Sequence, residues 1–110
     1  MRQSQTAVLE RGAVLADEVV TEPFEVAWAT EARWFVQFLQ PAPGVTVSVT
    51  AQISADGLVW VDHEAPTQTV PASGVSTLPL RDFGHWVRVV VRRGDGEGEP
   101  LVRVYLALKE

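Results

Sequence analysis

Apolar and polar residues alternate along much of this chain. In residues 45–53, VTVSVTAQI, every second side chain is apolar, and the side chains between them are Thr, Ser or Gln. A period of two predicts a β-strand that turns one face to a core and the other to solvent. Residues 33–39 alternate too, but Trp34 lies on one face and Phe35 and Leu39 lie on the other. Both faces are therefore apolar, and we expect this strand to be central in its sheet or covered by a partner.

Strand signals recur at short spacing, and no window shows a convincing apolar stripe at helical spacing. Further strands are predicted over residues 24–29, 58–63, 75–80, 86–93 and 101–108. Residues 6–15 fit a helix or a strand with a bulge, and the β-branched content together with Gly12 favours the strand. Residues 66–74 are expected to form an ordered connection or an edge segment, because Pro71 has no N–H to donate to a central ladder.

Short segments rich in Gly, Pro and Asp separate the predicted strands, namely PAPG, SADG, PASG, RDFG and GDGEGEP. Regular short strands joined by such turns are typical of a β-sandwich or a small barrel. The length of 110 residues fits one domain. We predict an all-β fold: a single antiparallel, jelly-roll-like β-sandwich of seven or eight strands that occupies residues 1–110.

Composition excludes several classes of function. The chain has no cysteine, which rules out disulfides and thiolate metal sites. Its formal net charge of −5, from 14 acidic and 9 basic residues, disfavours nucleic acid and anionic membrane as partners. No apolar run is long enough to cross a membrane, and the N-terminal segment MRQSQTAVLERG lacks the apolar centre of a signal peptide.

The stretch ISADGLVWVD holds the strongest local turn signal. Asp56 followed by Gly57 between two alternating runs predicts a hairpin, since such a turn needs backbone that tolerates positive φ. In this interpretation Ser54 and Asp56 bond nearby backbone amides, and Trp60 packs into the sandwich. The alternative makes Asp56 and Trp60, together with Trp86, part of a sugar- or peptide-binding site.

Two acidic segments have the residue types of a metal site. Residues 94–100, GDGEGEP, resemble the start of a calcium loop, but Leu106 stands where the loop needs a bidentate Glu. Residues 62–64, DHE, cannot share one ion, because on a strand His63 would point away from both neighbours. Motifs for nucleophilic, phosphate-binding or metal-assisted catalysis are missing. We therefore expect a flexible acidic loop, no metal site, no cofactor and no enzymatic activity.

Aromatic and cationic side chains share one face of the predicted strand 86–93. Trp86, Arg88 and Arg92 lie on that face, whereas Arg93 points the other way. Trp and Arg are enriched among interface hot spots, so this face suits docking of another protein. The alternative is an ordinary solvated face on which the long stems of the Arg side chains cover apolar surface.

Four segments occur in a fixed order along residues 33–109, namely PAPGVTVSVTAQI, SADGLVW, FGHWVRVVV and GEPLVRVYLALK. In this order they resemble the small β-sandwich structural proteins encoded among the head and tail genes of tailed bacteriophages and prophages. That resemblance implies protein–protein contacts in a symmetric assembly and brings no catalytic residue. A second resemblance, carried by SADGLVW and by Trp86-Val87-Arg88, is to discoidin-like galactose-binding domains and implies sugar binding.

We predict a non-enzymatic structural or interaction module: a decoration, cement or fibre-type component of a phage-like or other multimeric particle. Its partners would be capsid, tail or shell subunits and further copies of itself. The contacts would bury apolar patches around Trp34, Phe35 or Trp86, with charge-assisted hydrogen bonds from Arg88 and Arg92. The protein would reside in the virion or assembled particle, and otherwise in the cytoplasm. The alternatives are a carbohydrate-binding module and an accessory domain of an enzyme encoded nearby.

Overall fold

The computed structural model describes residues 2–110 and contains ten β-strands and no helix in that range. In chain order the strands are β1 (Ser4–Val14), β2 (Glu18–Val20), β3 (Phe24–Glu25), β4 (Glu31–Gln40), β5 (Ala42–Ser54), β6 (Val61–Asp62), β7 (Gln68–Ala72), β8 (Val75–Leu80), β9 (Trp86–Arg93) and β10 (Leu101–Lys109). They form one sheet of four strands and one sheet of six strands.

The two sheets have the topology of a jelly roll. The four-stranded sheet has the order β1-β10-β4-β8, and each neighbouring pair is antiparallel. The six-stranded sheet is centred on β9 and β5, with β2 and β3 beside β9 and with β6 and β7 beside β5. When β2 with β3 and β6 with β7 each count as one position, the chain visits the sheets in jelly-roll order. The predicted antiparallel, jelly-roll-like sandwich is confirmed.

The predicted count of seven or eight strands is wrong, because two positions of the jelly roll are each divided into two short strands. The first division falls at Thr21, whose hydroxyl Oγ1 accepts from the Val89 N–H (2.9 Å) in place of a backbone carbonyl. The strand that begins at Phe24 then ends at Glu25, because the Glu25 carboxylate accepts from the Ala27 N–H (2.7 Å) and turns the chain.

The core lies between the two sheets and is built largely from valine. Six inward valines of β5 and β9 are 1% exposed or less; they are Val45, Val47, Val49, Val87, Val89 and Val91. The facing sheet contributes Trp34 and Val36 from β4 and Val104 and Leu106 from β10. Because neighbouring residues in a strand point to opposite faces, this register leaves the polar residues of β5 on the outer face of its sheet.

The outer edges of both sheets are poorly suited to pairing with another strand. Pro71 in the edge strand β7 and Pro79 in the edge strand β8 have no N–H to donate. In β1 the register shifts on both sides of Glu10, so the predicted bulged strand is confirmed. At the fourth edge β2 and β3 have only three and two residues. Edges of this kind oppose edge-to-edge association.

Candidate functional site on the outer face of the six-stranded sheet

The outer face of the six-stranded sheet gathers most of the predicted site residues. Trp86, Arg88 and Arg92 alternate along β9 and point away from the core. Trp60, the residue before β6, lies on the same outer face because β6 pairs with β5. We call the surface formed by Trp60, Trp86, Arg88 and Arg92 the Trp–Arg face.

Arg88 is the centre of a polar network that crosses three strands. Its guanidinium carbon lies 4.4 Å from the centroid of the Trp60 ring, which is the geometry of a cation–π contact. Arg88 Nε donates to Gln52 Oε1 (2.7 Å), and Gln52 Nε2 donates to Asp62 Oδ1 (2.9 Å). The network fixes the guanidinium in place, and Trp60 lies half-buried on the sheet surface instead of in the core.

Trp86 is held between two neighbours on the same face. The ring of His85 stacks on it with a centroid separation of 5.8 Å. Gly57, in the loop after β5, lies so close that a Cβ built on it would be 3.4 Å from indole Cε2. His85 Nε2 in turn lies 3.4 Å from a carboxylate oxygen of Glu25. Trp86 therefore has a fixed position and only part of its ring surface is open.

The predicted Ser54–Asp56–Gly57 turn is stabilised by side-chain hydrogen bonds. Ser54 Oγ accepts from the Gly57 N–H (2.8 Å), and Gly57 has a positive φ of 81°. Asp56 Oδ1 accepts from the N–H groups of Leu58 (2.8 Å) and Val59 (3.0 Å). The hydrogen bonds from Val59 and then Leu58 hold the pKa of Asp56 below its ordinary value.

The turn at Asp56 and Gly57 is part of a loop that is longer than a two-residue hairpin turn. The Asp56 carboxylate accepts hydrogen bonds from backbone N–H groups that would otherwise pair with a neighbouring strand. β5 ends at Ser54 and the next strand begins at Val61, so the strand predicted over residues 58–63 is reduced to Val61–Asp62. The loop leaves Leu58 82% exposed, although its sequence pattern predicted half-buried strand residues. Sequence reasoning missed this exposed apolar segment.

The remaining predicted interface residues lie elsewhere. Trp34 is 1% exposed and belongs to the core, so it takes no part in an exposed surface. Phe35 is half-buried on the outer face of the four-stranded sheet, where it pairs with Tyr105. Arg92 lies on the Trp–Arg face and forms a salt bridge from Nε to Glu18 Oε1 (2.8 Å).

The acidic segment 94–100 is held by an arginine. The Arg93 guanidinium donates to the carbonyl oxygens of Gly94 (3.3 Å), Gly96 and Gly98 (2.8 Å). Thr46 Oγ1 accepts from the N–H of the loop residue that follows Gly94 (3.0 Å). These bonds order the loop backbone and leave its carboxylates exposed.

His63 is buried and fully hydrogen-bonded. Its Nδ1 accepts from the Ala65 N–H (2.9 Å), so the proton lies on Nε2, which donates to the Arg81 carbonyl (2.5 Å). His63 Nε2 also lies 3.6 Å from a Glu64 carboxylate oxygen. The prediction that His63 points away from Glu64 is wrong, because β6 ends at Asp62 and strand alternation does not extend to these residues.

Within residues 2–110, no group of three His, Cys, Asp or Glu side chains has the arrangement of a metal site. The same part of the chain has no helix with the length and apolar character needed to cross a membrane. The fold and the Trp–Arg face therefore define a small jelly-roll β-sandwich whose distinctive surface is aromatic and cationic.

Comparisons with solved structures place this fold beside prophage and pilus proteins. The PBSX exported protein XepA superimposes with a TM-score of 0.70 at 10% identity, over 94% of this chain and 36% of XepA. The SPBc2 prophage-derived protein YomS gives 0.66 at 8% identity, over 100% of this chain and 96% of YomS. A chain of the disulfide-linked pili of Bacillus endospore appendages gives 0.57 at 10% identity, over 98% of this chain and 86% of that chain.

These similarities establish a shared fold, since the identities are far too low to carry function. This chain spans about a third of the length of XepA but nearly the whole of YomS. Searches with protein-family models and against curated protein sequences found no match.

Proposed function

We propose that this protein is a non-enzymatic structural module, a subunit that decorates, cements or builds the fibre of a phage-like or other multimeric particle. The observation that carries the proposal is the fold shared with the prophage-derived YomS over 100% of this chain. The shared fold of an endospore pilus chain supports the same class of function. The partners would be capsid, tail or shell subunits and further copies of the chain, and the assembled particle would be its location.

We expect docking through the faces of the sandwich, because the edges of its sheets are poorly suited to pairing with another strand. The Trp–Arg face is suited to this role because its side chains are already held in position. Arg88 donates from Nε to Gln52, and among residues 2–110 this is the one hydrogen bond of its guanidinium. Its terminal nitrogens are therefore available to a partner's carboxylate. Preorganised Trp and Arg side chains lose little conformational entropy on binding, which raises affinity.

The arrangement favours protein docking over sugar stacking. A sugar-binding aromatic residue needs an uncovered ring face, and the Arg88 guanidinium already occupies one face of Trp60. Trp86 is partly covered by Gly57 and contacts His85. Asp56 has only Oδ2 left for sugar hydroxyls, because Oδ1 already accepts two backbone N–H groups.

The proposal is tested by binding to phage capsid, portal and tail proteins, chosen from whichever of these the neighbouring genes are found to encode. Each would be purified and titrated with this protein by isothermal calorimetry. We expect Arg88→Ala to weaken the contact about 30-fold, the effect of a hot spot of about 2 kcal/mol. Arg81→Ala is the matched control, since Arg81 is exposed and lies outside the Trp–Arg face.

Two results would contradict the proposal. One is a strict monomer that binds none of these proteins. The other is a partner whose affinity falls equally in Arg88→Ala and Arg81→Ala, because such a loss would come from net charge and not from a specific face.

A further inference from the structure

The outer face of the four-stranded sheet has a hollow at one end. Strand pairing places Ala107 of β10 opposite Arg33 of β4, and the next outward pair along the same strands is Lys109 with Glu31. The small methyl group of Ala107 stands among these long side chains, beside a cavity of about 600 Å³. This volume lies in the range of small-molecule sites. We call this space the outer cavity; its lining includes Glu31, Arg33, Phe35, Arg81, Asp82 and Lys109.

Three cationic side chains line the outer cavity, and each comes from a different segment. Arg33 lies in β4, Lys109 is the last residue of β10, and Arg81 is in the loop after β8. They are three of the nine basic residues in a chain whose net charge is −5. Among residues 2–110 none of the three forms a salt bridge, although Glu31 and Asp82 line the same cavity. All three charges are therefore available to an anionic ligand, and a guanidinium fork matches a carboxylate or a phosphate.

The Arg33 guanidinium is held in place by the neighbouring strand. Arg33 Nη1 donates to Thr77 Oγ1 of β8 (3.2 Å). Thr77 Oγ1 in turn donates to the Trp34 carbonyl (2.8 Å), so its lone pairs are free to accept from the guanidinium. Within the described part of the chain this is the one hydrogen bond of the Arg33 side chain, which leaves its other N–H groups for a ligand. A guanidinium that is fixed before binding loses little conformational entropy.

The backbone that carries the other two cations is fixed as well. The Arg81 carbonyl accepts from Nε2 of the buried His63 (2.5 Å), and the Lys109 carbonyl accepts from the Thr30 N–H (2.9 Å). Asp82, with a φ of 51°, is the one non-glycine residue with a positive φ in residues 2–110. Such backbone is uncommon and occurs preferentially at functional sites. The outer cavity is therefore lined by segments whose positions are set before any ligand arrives.

The rest of the lining narrows the class of ligand. The carboxylates of Glu31 and Asp82 would repel a bare anion, but they are acceptors for hydroxyl groups. Phe35, Pro79 and Ala107 add apolar surface, which suits the carbon skeleton of an organic ligand. A ligand that satisfies the whole lining has an anionic group, several hydroxyls and a compact carbon skeleton. A sugar that carries a carboxylate or a phosphate has all three.

We propose that the outer cavity binds an acidic sugar, a sugar unit with a carboxylate or phosphate group. Arg33, Arg81 and Lys109 hold the anionic group by charge-assisted hydrogen bonds. The two carboxylates of the lining accept from the sugar hydroxyls, and the ring lies against Phe35. This site goes beyond the proposed function, because it lies on the sheet opposite the Trp–Arg face and leaves that face free for a protein partner.

Isothermal calorimetry of the full chain with four probes tests the site: glucuronic acid, glucose 6-phosphate, glucose and inorganic phosphate. We expect at least one acidic sugar to bind, and at least about tenfold more tightly than glucose or inorganic phosphate. The acidic sugar that binds more tightly identifies the anionic group that the site prefers.

Three variants assign the binding to the outer cavity. Arg33→Ala should weaken the acidic sugar at least about tenfold, through the loss of charge-assisted hydrogen bonds. Ala107→Leu should also weaken it, because the larger side chain fills the hollow without changing the charge. Arg11→Ala is the matched control, since Arg11 is exposed, lies outside the lining and carries the same charge. Urea unfolding verifies that each variant is folded.

Four results would overturn the inference. The first is that neither acidic sugar binds, and the second is that glucose binds as tightly as they do. The third is that inorganic phosphate binds as tightly as glucose 6-phosphate, which would mean an adventitious ion only. The fourth is an equal loss of affinity in Arg33→Ala and Arg11→Ala, because the sugar would then respond to net charge and not to this cavity.

Discussion

Gly57 offers a quantitative test of the Ser54–Asp56–Gly57 turn, which lies against Trp86 of the Trp–Arg face. Its φ of 81° lies in the left-handed region, where a residue with a Cβ is strained by about 1–2 kcal/mol. The Cβ of Gly57→Ala would lie 3.4 Å from Trp86 Cε2, which is an ordinary van der Waals contact. The expected loss of about 1–2 kcal/mol in the free energy of unfolding therefore comes from the backbone alone.

Two other glycines separate backbone strain from other effects. Gly74 has a φ of 67° and no atom within 4 Å of a built Cβ, so Gly74→Ala should also cost about 1–2 kcal/mol. Gly44 is equally open but has no left-handed φ. Gly44→Ala should leave stability unchanged or raise it by about 0.4–1 kcal/mol, because alanine restricts the unfolded chain.

Urea unfolding followed by far-UV circular dichroism measures these three variants and Gly57→Val in one experiment. Gly57→Val should be the least stable variant, since its γ-carbons must enter the space occupied by the Trp86 indole. If Gly57→Ala proved as stable as Gly44→Ala, the left-handed corner would be refuted, and with it the fixed positions of Trp86 and Leu58.

Three further predictions concern the aromatic residues and the turn. Trp34→Ala should cost about 3–5 kcal/mol in urea unfolding, and Trp60→Ala clearly less, because Trp34 is in the core and Trp60 is half-buried. A double-mutant cycle of Trp60→Ala and Arg88→Ala should give a coupling of about 0.5–1 kcal/mol, and zero coupling would exclude the cation–π contact. Since the pKa of Asp56 is lowered from 3.8, its stabilisation of the turn should be present above that pH and lost as the pH falls through the lowered pKa. An NMR titration of the carboxyl carbon measures this pKa, and Asp56→Asn should remove the acid transition.

The fold could be predicted because local pattern and tertiary packing agree. The alternating valines of β5 and β9 require that one face of their sheet be shielded from water, and packing against the second sheet provides that shielding. The choice between the two apolar faces of β4 was not predictable, because Trp34 and Phe35 satisfy either orientation. The opposite sheet decides it, and that contact joins residues far apart in the sequence.

The candidate site was predicted in part. Alternation along β9 was enough to place Trp86, Arg88 and Arg92 on one face. The sequence could not show that Arg88 covers Trp60, because this contact depends on the pairing of β6 with β5. Nor did it reveal the exposed Leu58, since an apolar residue after Asp-Gly is also typical of a returning strand, and the Asp56 hydrogen bonds prevent that strand from forming here.

The central claim is that this protein acts by docking its surfaces in a multimer. The most direct test is its molar mass in solution, measured by multi-angle light scattering, alone and after mixing with whichever capsid or tail proteins its neighbouring genes are found to encode. We predict a mass that rises with concentration above that of a single chain, and a larger co-eluting complex with at least one of those proteins. A single-chain mass at every concentration and in every mixture would contradict the account.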